Sequence, residues 1–201
     1  MLDSLQRPAN AMGRVPTARP STDQSLLAGW RSGLSILNLR GNADDAAFRD
    51  GVARALGLAL PTQACTSVAS DTLRLVWVGP DDWFVIGPRG QAAALEAGLR
   101  QALAGQHVAV TDVSSGYTVL HLSGQPVRDV LAQGCPLDLH PRVFGPGASA
   151  GSLFFKASVW LWQTEEAPVY EMLVRSSFRG YVWLMLERAT QACGLVTRRF
   201  T

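Results

Sequence analysis

A chain of 201 residues that is 47% hydrophobic can bury about 70% of the surface its unfolded form exposes, enough for one or two packed domains. Its 18 Lys+Arg against 16 Asp+Glu leave a formal net charge of +2, and Lys156 is the sole lysine. The nearest approach to a basic stripe is Arg198-Arg199, so phosphate-tracking nucleic-acid recognition is not expected.

No apolar run reaches the roughly 18 residues of a membrane-spanning helix, and the opening MLDSLQRPANAMGR lacks the basic-then-apolar order of a secretory signal. Cys65, Cys135 and Cys193 form no close pair, which fits a reducing compartment. A soluble, cytoplasmic protein is therefore expected. Charged residues make up only 17%, below the roughly 25% usual for soluble domains. That fits either a single protein with a plain surface or a subunit that gives surface to a partner, and six Trp lean towards the second, since Trp is enriched at interfaces.

Residues 1–25 carry Pro8, Gly13, Pro16 and Pro20 without period 2 or 3.6 and read as an extended arm. A first α/β unit is expected over 26–105. Leu34 to Leu39 reads as a strand, and Asn42, Asp44 or Asp45 can cap a helix that runs to Leu56 with Phe48, Val52 and Ala55 on one face and stops at Gly57. Thr72 to Val78 and Trp83 to Ile86 read as strands joined at Gly79-Pro80-Asp81-Asp82, and an Ala/Leu-rich helix follows from Gln91 to Leu103.

A second unit is expected over 106–201, with the same order. After an extra strand at His107 to Asp112, Tyr117 to Gly124 gives a strand and Gln125 to Ala132 a helix with Pro126 in its first turn. Strands at Gly151 to Trp162 and Val169 to Val174 and a helix from Phe178 to Ala192 complete it, while Leu139-His140-Pro141 echoes Leu60-Pro61. The fold class is α+β: two similar β-α-β-β-α units with mainly antiparallel sheets, which can cover one another or a third layer.

No residue is assigned a catalytic, cofactor-binding or metal role. His107, His121 and His140 are dispersed and lack metal-ligand spacing. His121 alternates with Leu120 and Leu122 and should point away from them, and His140 should shape the loop before Pro141. Cys135, at a helix end without a basic neighbour, reads as a packing residue. Asp81 and Asp82 read as turn residues; Ser114, Ser115 and Gly116 after Asp112 could offer backbone N–H groups to an anion, but no phosphate-loop lysine follows. Trp160 and Trp162 share a strand face that either an adjacent helix or a partner protein could cover.

Val78-Gly79-Pro80-Asp81-Asp82-Trp83, the run Asp112 to Gly124, Arg175-Ser176-Ser177-Phe178 and above all Asp129-Val130-Leu131-Ala132-Gln133-Gly134-Cys135-Pro136-Leu137-Asp138-Leu139-His140-Pro141 resemble the gamma-subunit family of heterotetrameric sarcosine oxidases. The resemblance covers roughly residues 30 to 192 and implies a fold related to the N-terminal region of aminomethyltransferases of the glycine cleavage T type. It implies a noncatalytic subunit that supports the alpha subunit in oxidative demethylation of sarcosine to glycine, with hydrogen peroxide formation and one-carbon transfer to tetrahydrofolate. FAD and FMN on or beside the beta subunit, NAD and tetrahydrofolate handling on alpha, and zinc on delta are implied for the partners, and no cofactor for this chain. The equivalent subunit of N-methylglutamate dehydrogenase and a stand-alone folate-binding protein are the alternatives. Against the latter, Gln133-Gly134-Cys135-Pro136-Leu137-Asp138 lacks the tyrosine and later glutamate of the folate-binding relatives' motif.

Overall fold

The computed structural model describes residues 25–200; the arm expected over 1–25 lies, up to Gln24, outside the described residues. The first half contains β1 (Leu26–Arg31), β2 (Ser35–Arg40), α1 (Ala46–Leu56), β3 (Ser67–Ala69), β4 (Arg74–Gly79), β5 (Asp82–Gly87) and α2 (Ala92–Ala102). Asp45 is the residue that caps α1, its side chain accepting from Ala47 N at 2.8 Å. Gly57 closes the helix in the left-handed region, at φ +66°, where glycine carries no Cβ penalty.

The second half contains β6 (Ala109–Asp112), β7 (Tyr117–Ser123), α3 (Val127–Ala132), β8 (Ser149–Phe154), β9 (Ala157–Glu165), β10 (Val169–Arg175), α4 (Arg179–Ala189) and β11 (Leu195–Thr197). The single strand expected over Gly151 to Trp162 is a hairpin, because the chain reverses at Phe155-Lys156 between β8 and β9. Phe155 holds φ +53°, its N–H donates to Gly134 O at 2.7 Å, and its ring occupies the space a Cβ on Gly134 would take. A bulky residue thus makes a turn that glycine or asparagine usually makes, held there by tertiary contact. With β3 and β8 counted, both units are β-α-β-β-β-α rather than the shorter order expected.

The first sheet runs β3-β4-β5-β2-β6 and the second β8-β9-β10-β7-β1-β11. The first four strands of each list correspond one to one. Each fifth strand comes from the other half of the chain: β6, just before the second unit, pairs antiparallel with β2, and β1, just before the first, pairs antiparallel with β7. The sheets therefore divide the chain differently from the sequence division at 105/106. Among the described strands, the pairings are antiparallel except that of β1 with β11.

Four layers result. Phe48, Val52 and Leu56 of α1 and Leu99 of α2 pack on Leu37, Leu39 and Val85 of the first sheet. Val130 and Leu131 of α3 and Val182 and Leu186 of α4 pack on Leu120, Leu122 and Met172 of the second. Between the sheets, Ile36, Val76, Phe84 and Ile86 meet Val119, Trp162 and Leu173. A sheet covered on both faces needs apolar residues on both, and β5 accordingly buries every residue from Trp83 to Gly87.

Candidate functional site

The apolar seam between the sheets gives way at one end to charge. The strand face that carries Val119 and Leu173 continues to His121 and Glu171, and that of Val76 continues to Arg74. These side chains line a cavity of about 240 Å³ with Arg31, Thr164 and the Ser70–Leu73 turn. Glu171, 6% exposed, uses both oxygens: Arg31 Nη1 donates to Oε1 at 2.6 Å and Trp162 Nε1 to Oε2 at 3.0 Å. Arg74 lies over the Trp162 ring at 5.8 Å and donates to Ser67 Oγ at 3.2 Å. Burial holds the Arg74 guanidinium below its ordinary pKa, with Glu171 opposing the shift.

His121 contacts Ser123 Oγ through Nε2 at 3.2 Å, and its ring centre is 4.2 Å from that of Phe200. Burial lowers its pKa from the ordinary 6.5, Glu171 opposing and Arg31 adding to the shift. It faces away from Leu120 and Leu122, as the alternation required. The cavity is polar, and its buried carboxylate, that of Glu171, is matched by an arginine and an indole.

The other sequence candidates are not brought together. His140 shapes its loop, Nδ1 accepting from Arg142 N at 3.2 Å. Cys135 is buried in the second-sheet core, 3.5 Å from Ser152 Oγ; Cys65 is exposed and Cys193 half-buried. Asp81 pairs with Arg40 at 2.6 Å and Asp82 accepts from Asn38 at 2.6 Å.

In Ser114 to Gly116, the Ser114 and Gly116 backbone N–H groups are engaged within the chain. The Ser114 N–H donates to Asp112 at 2.9 Å, that of Gly116 goes to Val113 O, and Ser114 Oγ accepts from Ile36 N at 2.9 Å. The segment is a strap between the sheets, and the hydrogen bonds from Ser114 hold the Asp112 carboxyl below its ordinary pKa. Trp160 and Trp162 do share a face, but the opposite sheet covers them rather than a helix. Among the described residues, no group of three or more His, Cys, Asp or Glu could hold a metal ion, and no described helix is long and apolar enough to cross a membrane.

The family model for "Sarcosine oxidase, gamma subunit family" matches residues 40–192. The chain belongs to that family. It is 37% identical over 137 residues to the sarcosine oxidase subunit gamma of Corynebacterium sp. (strain P-1), covering 67% of this chain and 66% of that protein. To the subunit gamma of an Arthrobacter species it is 38% identical over the same length, with the same coverage. These matches span just under two thirds of the relatives' own length.

Among solved structures, a chain of the heterotetrameric sarcosine oxidase from Corynebacterium sp. U-96, in complex with pyrrole 2-carboxylate, superposes with a TM-score of 0.79 at 25% identity, over 88% of this chain and 89% of that one. The glycine cleavage system aminomethyltransferase T from Bartonella henselae superposes with a TM-score of 0.65 at 13% identity, over 86% of this chain and 47% of that one, and shares the fold. The mixed α/β architecture with antiparallel sheets is thus that of both.

A gamma-family chain with this fold raises the question of folate. A cavity of about 240 Å³ is smaller than the roughly 300–1,000 Å³ of pockets that enclose drug-sized ligands. The second feature of note in this family member is a surface that sequence reasoning missed. Trp30 of β1 and Trp183 of α4 are half-buried with ring centres 6.3 Å apart, and Arg179 lies 5.2 Å over the Trp30 ring. Alternation of Leu26, Ala28 and Trp30 against Leu27, Gly29 and Arg31 was the signal available for β1 and for Trp30.

Proposed function

We propose that this chain is the noncatalytic gamma subunit of a cytoplasmic heterotetrameric sarcosine oxidase. In that assembly it supports the alpha subunit while the complex demethylates sarcosine oxidatively to glycine, forms hydrogen peroxide and passes the one-carbon unit to tetrahydrofolate. FAD, FMN, NAD, tetrahydrofolate and zinc belong in this reading to the alpha, beta and delta partners. The observation that carries it is the superposition on a chain of the Corynebacterium sp. U-96 heterotetramer over 89% of that chain. Three apolar clusters fill the interior, and Arg31 and Glu171 pair on the wall of the polar cavity between the sheets.

Affinity isolation of the tagged full-length chain from its own cells tests the assembly. Alpha, beta and delta subunits should co-purify, and the isolate should form peroxide from sarcosine, with tetrahydrofolate diverting the one-carbon unit. The separately purified chain should bring no flavin and form no peroxide. Turnover by the pure chain, or isolation without any oxidase subunit, overturns the reading.

A further inference from the structure

The surface at Trp30 and Trp183 is lined by aromatic rings and arginines. It encloses a hollow of about 630 Å³ where β1, α4 and the segment after β11 meet, with Phe200 at one side. Around the three aromatic rings stand Arg89, Arg179, Arg198 and Arg199, all exposed. Among the described residues, the ion pairs involve Arg31, Arg40 and Arg100, and none of these four. Glu187, one turn along α4 from Trp183, accepts from its Nε1 at 3.0 Å. Along α4 the apolar character continues outwards, with Leu184 45% and Phe178 39% exposed.

Resting on the reading of this chain as an oxidase subunit, we propose that this arginine and tryptophan surface seats an acidic segment of the subunit it assembles with, carboxylates on the guanidinium groups and an apolar side chain on the indoles. Trp and Arg are the residues that most often dominate interface energetics, and guanidinium stacked on indole still presents its N–H edge to a carboxylate. Charge selects the occupant. Residues 1–24 carry Arg7, Arg14 and Arg19 against Asp3 and Asp23, so the chain's own arm brings more positive charge. A second copy docked about a two-fold axis would set these arginines against themselves.

The test compares the wild-type chain with R179E/R199E and with R54E, a charge reversal on the exposed end of α1, each co-expressed at full length with its partner subunits. Wild-type affinity for the rest of the complex should fall on the order of tenfold between 50 and 500 mM salt. R179E/R199E should lose at least about tenfold at low salt, with R54E unchanged and all three chains unfolding at the same urea concentration. Hydrogen exchange of the wild type should slow on assembly in β1, α4 and residues 195–199. R179E/R199E assembling as tightly as the wild type, or no protection in these segments, overturns the surface assignment and leaves the functional reading standing. Wild-type chain that captures no subunit overturns the functional reading instead. Self-association of the pure chain that R179E/R199E abolishes overturns the choice of occupant.

Discussion

Arg31 of β1 reaches past β7 to the carboxylate of Glu171 on β10, 2.6 Å away, and Trp162 of β9 holds the other oxygen at 3.0 Å. One buried carboxylate therefore ties three strands of the second sheet across the face that meets the first. Removing one partner of such a pair leaves the other charge uncompensated, whereas removing both need not. Arg31→Met should cost about 3 kcal/mol in urea unfolding because it leaves the buried Glu171 carboxylate without its cation, and Glu171→Ala a smaller amount from this source because the half-exposed Arg31 can turn to solvent. Arg31→Met/Glu171→Leu should be more stable than Arg31→Met. A double variant less stable than either single change would show that the pair is not the coupled unit described.

His121 gives the fold a pH dependence of defined sign. Its folded pKa is depressed by burial below the ordinary 6.5, so between the folded and unfolded values the unfolded chain binds more protons. Stability from this group is complete above the unfolded pKa and declines as pH falls through 6.5 towards the folded value. The urea midpoint should drop between pH 7.5 and 5.5, and the drop should be smaller in His121→Gln. Equal drops in the two proteins would remove His121 as the cause. The depressed pKa of Asp112 acts in a lower window, its contribution being lost as pH falls below the ordinary value of 3.8.

Gly29 is where the C-terminal segment crosses β1. A Cβ there would come within 1.8 Å of Arg198 O and 2.8 Å of the Phe200 ring, and the first of these is backbone, which cannot swing aside. Gly29→Ala should displace the segment from β1, breaking the Arg198 N to Ala28 O hydrogen bond of 3.0 Å. The expected signature is fast amide exchange over 195–200 with a stability loss of about 1–3 kcal/mol. Unchanged exchange over 195–200 would contradict the close approach. Phe200 also covers His121, so the same variant should bring the His121 pKa nearer to 6.5, readable by NMR titration.

The elements that announce themselves locally were legible in the sequence. Gly57 marks the end of α1, Asp45 is one of three caps offered by Asn42, Asp44 and Asp45, and the alternation about His121 put it on the correct face, because caps and pleats depend on near neighbours. β3 and β11, three residues each, carry too little pattern to be seen and exist because distant strands pair with them. The Phe155 turn depends on Gly134, 21 positions earlier in the chain, and so resembles an uninterrupted strand to any local reading. The arginine and tryptophan surface was hidden for the same reason: Trp30, Trp183 and Phe200 belong to three elements that meet through the β1 pairings. The gamma-family resemblance was carried by the loop motif around Cys135-Pro136, whose cysteine is buried in the second-sheet core.

The strand exchange predicts that the halves do not fold apart. A fragment of residues 1–105 lacks β6 and exposes Ile36, Val76, Phe84 and Ile86, each at most 5% exposed in the whole chain. A fragment of 106–201 lacks β1, whose Leu26 and Ala28 are fully buried, and exposes Val119, Trp162 and Leu173. Fully burying one large apolar side chain contributes about 1.5–3 kcal/mol, so four of them account for roughly 6–12 kcal/mol, as much as the about 5–15 kcal/mol that holds a typical domain together. Neither fragment should show a cooperative urea transition alone, and mixing them should restore one together with the near-ultraviolet signal of buried Trp162. Cooperative unfolding of either fragment by itself would mean that the exchanged strand is an accessory to a self-sufficient sheet.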